Sequence, residues 1–243
     1  MHSKSMILTL ASMLAVAGTP VGNVSGNLTE PYRQIFLEVS GFIGTRVVSS
    51  GQRFNVLATQ KNGTVDSIGT LGHVVMSSSN TAVMTFYTNR INSDSLMRTV
   101  SLHEWLHVLG YGTIQAWEEL TPSNYFIGTE FTAVHGKTAK TQGGHWSPSE
   151  KGRLEDDVMK PTVQESSVLS PETLAALKDL HPGWTLNTCE RTYDCQDGHS
   201  CYDTTNFGTG YCSKEPLRDT GFTLVRAFLV VILVLVSIAF APE

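Results

Sequence analysis

The chain has 243 residues, 16% of them charged and 41% hydrophobic, with a formal net charge of −5. That length suits one sizeable core plus a small appendage. The negative balance and the absence of a concentrated basic patch argue against a nucleic-acid binder.

Residues 1–17 have the layout of a signal peptide. A basic start (His2, Lys4) is followed by an apolar run from Met6 to Val16 and by Ala15-Val16-Ala17, a small-x-small cleavage site. A buried first helix or strand is the competing reading, but the order of the three regions favours the signal. Three Asn-x-Ser/Thr sequons at Asn23, Asn27 and Asn62 agree with a secretory route and are the expected glycosylation sites. Residues 18–28 are polar and rich in Gly and Asn, a loose start. From Pro31 to Phe42, Ile35, Phe36, Val39 and Phe42 recur at helical spacing and predict an amphipathic helix. Phe54 to Ala58, Gly72 to Met76 and Ala82 to Tyr87 read as strands, punctuated by Asn62-Gly63 and by the cluster Ser77 to Asn80. Asn92 to Asp94 offers an N-cap for a helix running to Leu109. Its apolar residues Leu96, Met97, Val100, Trp105, Leu106 and Leu109 are expected to hold it under the sheet. Residues 111–170 are loop-rich with little periodicity. Pro171 to Leu180 is a second good helix, with Leu174, Leu177 and Leu180 along one face.

The helix ending at Leu109 carries His103-Glu104-Trp105-Leu106-His107-Val108-Leu109-Gly110, an H-E-x-x-H motif followed by x-x-G. Positions i and i+4 share a helix face, so His103 and His107 can offer two imidazole nitrogens to one metal ion. Glu104 lies beside them, where a carboxylate can hold and deprotonate a water molecule. Gly110 permits the left-handed turn that ends the helix. A bare H-E-x-x-H also arises by chance in ordinary helices, so a third ligand is needed. In one compact arrangement a histidine follows the glycine after two residues, but that position here is Thr113. The candidates farther along are His135, His145 and, more distantly, His181, together with Glu150, Glu155, Asp156 and Asp157. His135 reads as a loop histidine, and His181 and His199 have no evident partner. His73 would project from a strand. Trp105 and Trp146 read as packing residues, and Tyr111 lies near the motif without an assigned role.

Residues 100–187 resemble the leishmanolysin family of metzincin endopeptidases. The resemblance rests on the helix motif, on Gly143-Gly-His145-Trp146, and on Leu154-Glu-Asp-Asp-Val-Met159-Lys-Pro161. Tyr125-Phe-Ile-Gly128 and Leu169-Ser-Pro-Glu-Thr-Leu-Ala-Ala-Leu-Lys-Asp179 extend it. It implies that His103, His107 and His145 hold one Zn2+ per chain, that Glu104 is the general base, and that Met159 is the Met-turn residue. The fold it implies is α+β and zincin-like. A small twisted sheet and the metal-binding helix would lie above an irregular lower half containing one long helix. Unlike the disulfide-rich protozoan members, the catalytic half here contains no cysteine, and it is closer to the smaller prokaryote-like members. The strand at Gly72 to Met76 is the expected edge for pairing with an extended peptide substrate.

All four cysteines follow this region. Cys189, Cys195, Cys201 and Cys212 are spaced C-x5-C-x5-C-x10-C. In a secreted chain that predicts a small module with two disulfides and three possible connectivities. A second zinc site is the weaker reading, since no C-x-x-C pair exists. The apolar run from Ala227 to Ala241 predicts a membrane anchor, either a short span or the signal for a glycolipid anchor. The expected organisation is therefore a signal peptide (1–17), a metallopeptidase domain (18–187), a disulfide-rich module (188–213), a polar spacer (214–221) and a hydrophobic anchor (222–243). The function expected of it is a zinc-dependent endopeptidase of the extracellular space or cell surface, attached to a membrane, with protein or peptide substrates. The alternative is an inactive metzincin scaffold serving as a cell-surface adhesion or binding protein, with the cysteine module as its working part. A pseudo-enzyme would typically have lost Glu104 or a ligand, and all are present.

Overall fold

Buried residues alternate with exposed ones at 55–58 and with half-buried ones at 81–84, making strands that cover a core with one face only, as period-2 patterning requires. A computed structural model describes residues 24–44, 53–62 and 70–184, and the backbone of strands at 188–189, 200–204 and 209–213. The predicted signal peptide, Asn23, Gly63, Cys195, His199, the 214–221 spacer and the 222–243 anchor lie outside the described residues. So do the side chains of Cys189, Cys201 and Cys212. The chain divides into two units, Met1–Leu186 and Asn187–Glu243.

The first unit is mixed α+β. Strands β1 (Val24–Gly26), β2 (Asn55–Lys61), β3 (Gly72–Ser78) and β4 (Thr81–Tyr87) form one sheet in the order β1-β2-β4-β3. The pairs β1–β2 and β2–β4 are parallel. Strand β3 pairs antiparallel with β4 and forms the sheet edge. Val56, Ala58, Ala82, Met84 and Phe86 bury one face of the sheet, whereas Leu57 and Val75 on the other face are exposed.

Helices α1 (Tyr32–Phe42) and α2 (Asp94–Val108) complete the upper core. Phe36 of α1 meets Phe86 edge-on at 5.6 Å and stacks on Trp105 of α2 at 6.3 Å. The Trp105 indole donates to Ser40 Oγ at 3.1 Å, so its one polar atom is satisfied inside an apolar contact. Burying side chains of this size stabilises the fold by about 2–3 kcal/mol each. Helix α2 starts at Ser93, whose hydroxyl accepts from Leu96 N at 3.1 Å, with Asp94 in the first turn. Leu96 itself is only partly buried, yet nearly every residue from Met97 to Leu106 is buried, because α2 is covered on more than one side.

The stretch at 111–170 is more ordered than its composition predicts. It contains α3 (Gln115–Leu120), β5 (Tyr125–Phe126), α4 (Thr129–His135), β6 (Ala139–Gln142) and β7 (His145–Trp146). The three short strands form a sheet in the order β5-β6-β7. These elements are too short to carry a period, and they are held by an aromatic cluster instead. Trp146 stacks on Phe131 at 4.9 Å and meets Phe126, Tyr111 and Trp117 at 5.5–6.0 Å. Helix α5 spans Pro171–Leu180, the predicted bounds, with Ser170 accepting from Thr173 N at 3.1 Å. It reaches back to α4 through Asp179, whose carboxylate accepts from the N–H groups of Glu130 and Phe131 at 2.9 and 2.8 Å. Gly128 lies against that carboxylate, where no side chain would fit.

Two histidines differ from expectation. His135 is the last residue of α4, not a loop residue. It lies half-buried against Phe131, with Nδ1 3.6 Å from Glu172 Oε1. His181 does have partners. Its Nε2 donates to Leu109 O at 2.7 Å, and its ring stacks on Trp184 at 3.7 Å.

In the second unit, β8 (Thr188–Cys189), β9 (Ser200–Thr204) and β10 (Thr209–Ser213) form an antiparallel sheet in the order β8-β10-β9. Cys201 and Cys212 face each other in the β9–β10 register, and Cys189 faces Gly210. Among the described residues no helix is long and apolar enough to cross a membrane.

Candidate metal centre

His103 and His107 stand one turn apart on α2, as the motif spacing dictates. His145 arrives from elsewhere. The two-residue turn Gly143-Gly144 closes a hairpin in which Gln142 pairs with His145, and that hairpin places the third ring beside the other two. The Nε2 atoms lie 3.1 Å (His103–His107), 3.1 Å (His103–His145) and 3.2 Å (His107–His145) apart. Among the described residues this is the only group of three or more metal-ligating side chains that comes together.

Hydrogen bonds to the far side of the rings settle what the converging nitrogens are. His103 Nδ1 is 2.7 Å from the Val158 carbonyl, and His107 Nδ1 is 2.7 Å from the Tyr111 carbonyl. A carbonyl oxygen can only accept, so each Nδ1 carries the proton and each Nε2 keeps its lone pair. The His145 ring is hydrogen-bonded by the backbone of Gln142. The electrostatics favour the same neutral forms. Burial, then the neighbouring His107 and His145, hold His103 well below the ordinary imidazole value. Burial also lowers His107, and burial followed by His107 brings His145 down to about 4. Three lone pairs facing one another at this distance cannot satisfy each other. Tetrahedral nitrogen ligands bound about 2.05 Å from a shared zinc ion would be roughly 3.3 Å apart, close to the observed separations. The three residues are thus near enough to bind one metal ion, with backbone acceptors behind the rings as such sites require.

Glu104 is buried beside them. Its Oε2 has no hydrogen-bond partner, and burial alone pushes its carboxyl up to about 8. The site opens into a cleft of about 530 Å³. Glu104 and the three histidines line its interior, Gly72 to Val74 of the edge strand contribute one part of the lining, and Pro161 to Val163 another.

The surroundings explain how this arrangement is held. Gly110 takes φ +118°, which lets the chain turn back so that the Tyr111 carbonyl reaches His107. Thr113, at the position where the compact arrangement has its third histidine, donates its hydroxyl to the His107 carbonyl at 2.6 Å. Val158, which holds His103, belongs to the segment 157–160. There Met159 is fully buried, and its carbonyl accepts from Trp146 N at 3.0 Å. Asp157 is fully buried as well. It accepts from Met159 N (2.6 Å), Ser170 N (3.1 Å) and Thr173 Oγ1 (2.9 Å), and Thr173 Oγ1 in turn accepts from the Trp146 indole at 2.8 Å. Burial outweighs these donors and raises Asp157 to about 6. Lys160 inserts its ammonium between the carbonyls of Ser147 and Glu150, 2.7 Å from each. Ser93 donates to Glu165 at 2.5 Å, which ties the stretch after Pro161 to the start of α2.

Of the carboxylate candidates for the third ligand, none joins the histidines. Asp157 buttresses the 157–170 segment, Glu150 accepts from Lys140 N at 2.7 Å, and Glu155 pairs with Lys151 at 2.9 Å. Asp156 is exposed. One supporting residue gave no sequence signal of its role: Tyr111, which acts through its carbonyl. Both sequons within reach, Asn27 and Asn62, are exposed. Asn27 Oδ1 also accepts from Gln60 N at 3.2 Å.

Comparison of the chain with protein-family models, with curated proteins and with solved structures returned no match.

Proposed function

We propose that the protein is a zinc-dependent endopeptidase of the leishmanolysin-like metzincin type. One observation carries the reading. Three imidazole lone pairs converge beside a buried carboxylate whose Oε2 has no partner, at the floor of an open cleft. Among the described residues no other group of three or more metal-ligating side chains comes together.

His103, His107 and His145 would hold the zinc ion. When bound, zinc supplies a Lewis acid that makes a coordinated water far more acidic and polarises a carbonyl group. Glu104 takes up the proton released at the attacking water and delivers it to the departing amine. Burial raises the affinity of its carboxylate for a proton, which makes it a stronger base for that step. Among the described residues no strand pairs with the outer edge of β3, which offers backbone N–H and C=O groups to an extended peptide lying along the cleft and suits an endopeptidase better than an enzyme of small molecules. Met159, buried behind the third ligand's hairpin, corresponds to the family's Met-turn residue. The segments at 1–17 and 227–241 extend the proposal to the secretory pathway and a membrane-attached location.

The test is zinc stoichiometry and cleavage of denatured casein by the full chain, set beside Glu104→Gln. One zinc per chain in both, with cleavage only in the wild type, is the expected result. Zinc bound by both and casein cut by neither would favour the binding-scaffold alternative.

A further inference from the structure

Edge strand β3 carries a glycine where it passes the metal-binding helix. Side chains along a strand alternate between the two faces of the sheet. Gly72, Val74 and Met76 stand opposite the buried Phe86, Met84 and Ala82. His73 and Val75 stand opposite Thr85 and Val83 and belong to the other face. A side chain at position 72 would therefore point inward, at α2. Its Cβ would lie 2.8 Å from Glu104 Oε1, 3.2 Å from the Glu104 carboxyl carbon and 3.1 Å from Val100 Cγ1. A Cβ essentially never approaches another heavy atom to 2.8 Å, so the Glu104 carboxylate fills the space that any other residue's side chain would need. The carboxylate has little else to fix it, since its Oε2 is buried without a hydrogen-bond partner. Contact with the bare backbone of the strand takes the place of directional bonds.

We infer that Gly72 is a positioning residue: the missing side chain seats the Glu104 carboxylate against the edge strand, beside the three histidines. The catalytic consequence rests on the peptidase reading, whereas the steric coupling between the two residues does not. A methyl group at position 72 displaces the carboxylate, and a displacement of about 1 Å in a reacting group is enough to cost roughly a hundredfold in rate. None of the three atoms nearest the added Cβ belongs to a histidine, so metal binding is expected to be spared.

The experiment is a double-mutant cycle on the full chain: wild type, Gly72→Ala, Glu104→Ala and the double variant. Thermal unfolding with a chelator present reads the steric coupling without activity. Gly72→Ala is expected to lower Tm, and about half or more of that loss should vanish when Glu104→Ala removes the carboxylate. The part due to Val100 remains. Gly72→Ala is also expected to keep one zinc per chain while kcat falls about tenfold to a hundredfold and KM stays within about twofold. Folding of the double variant where Gly72→Ala alone fails to fold is the same result in stronger form. Equal Tm losses in both backgrounds, failure of both to fold, or an unchanged Tm and kcat in Gly72→Ala would each overturn the inference. If the wild type cuts no peptide, the Tm cycle still decides it, so the two proposals fail separately.

Discussion

Gly112 and Gly144 cross backbone to backbone, so that a Cβ on Gly144 would lie 2.9 Å from Gly112 Cα and 3.2 Å from both His107 Cε1 and the Tyr111 carbonyl. The turn after α2 and the hairpin bearing His145 therefore touch through two residues without side chains. This crossing lets a ring from β7 stand level with two rings from α2. Gly144→Ala is expected to leave the helices intact by far-UV circular dichroism. It should weaken zinc binding by about tenfold to a hundredfold, the usual cost of disturbing the groups that orient metal ligands. Competition with a chromophoric chelator measures it, and unchanged affinity would mean that the hairpin is held by Trp146 alone.

Zinc should stabilise this fold through all three rings. A ligand that binds only the folded state at a hundred times its Kd adds about 2.7 kcal/mol. The wild type is expected to show a rise in Tm on adding zinc after chelation, and His145→Ala is expected to show almost none. An equal rise in the variant would show that His103 and His107 suffice and would remove His145 from the ligand set.

Asp157 offers a test by pH. Burial raises its carboxyl to about 6 from the ordinary 3.8, so the folded protein binds the extra proton between these values. Stability from this group is full below the lower value and falls as pH rises through the upper one, by about 3 kcal/mol in all. Asp157→Asn does not titrate, and the histidines contribute equally to both proteins. The deficit of Asp157→Asn relative to wild type is thus expected to be larger at pH 5 than at pH 7 in urea unfolding. A deficit that grows with pH would mean that the donors around Asp157, not its burial, dominate.

Asp179 on α5 caps α4 through two N–H groups. Asp179→Ala should cost about 2 kcal/mol in urea unfolding, the loss expected when a charged acceptor at a helix N-terminus is removed. A cost near zero would mean that the aromatic cluster alone holds α4.

The legible part of the site was the part that is local in sequence. His103, Glu104 and His107 share one helix whose period fixes their geometry, and Ser93, Asp94 and Gly110 mark its ends. Strands β2 and β4 and helices α1 and α5 were legible for the same reason, since each buries a face with its own period. The elements between 115 and 146 were not, because two- to seven-residue pieces show no period and are stabilised by rings from other segments.

The amino-acid sequence by itself determined that two imidazoles and a carboxylate share a helix face, since an α-helix brings positions i and i+4 together whatever surrounds it. It also left a short set of candidates for the third ligand, which only the resemblance narrowed to His145. Tertiary structure decided the rest. His145 lies 38 residues beyond His107, and its approach depends on a hairpin, a glycine crossing and a buried tryptophan that no local pattern encodes. The same holds for the Val158 carbonyl behind the His103 ring and for Gly72 against Glu104. Each is a contact between segments distant in the chain, made where closely packed backbone leaves room for nothing larger.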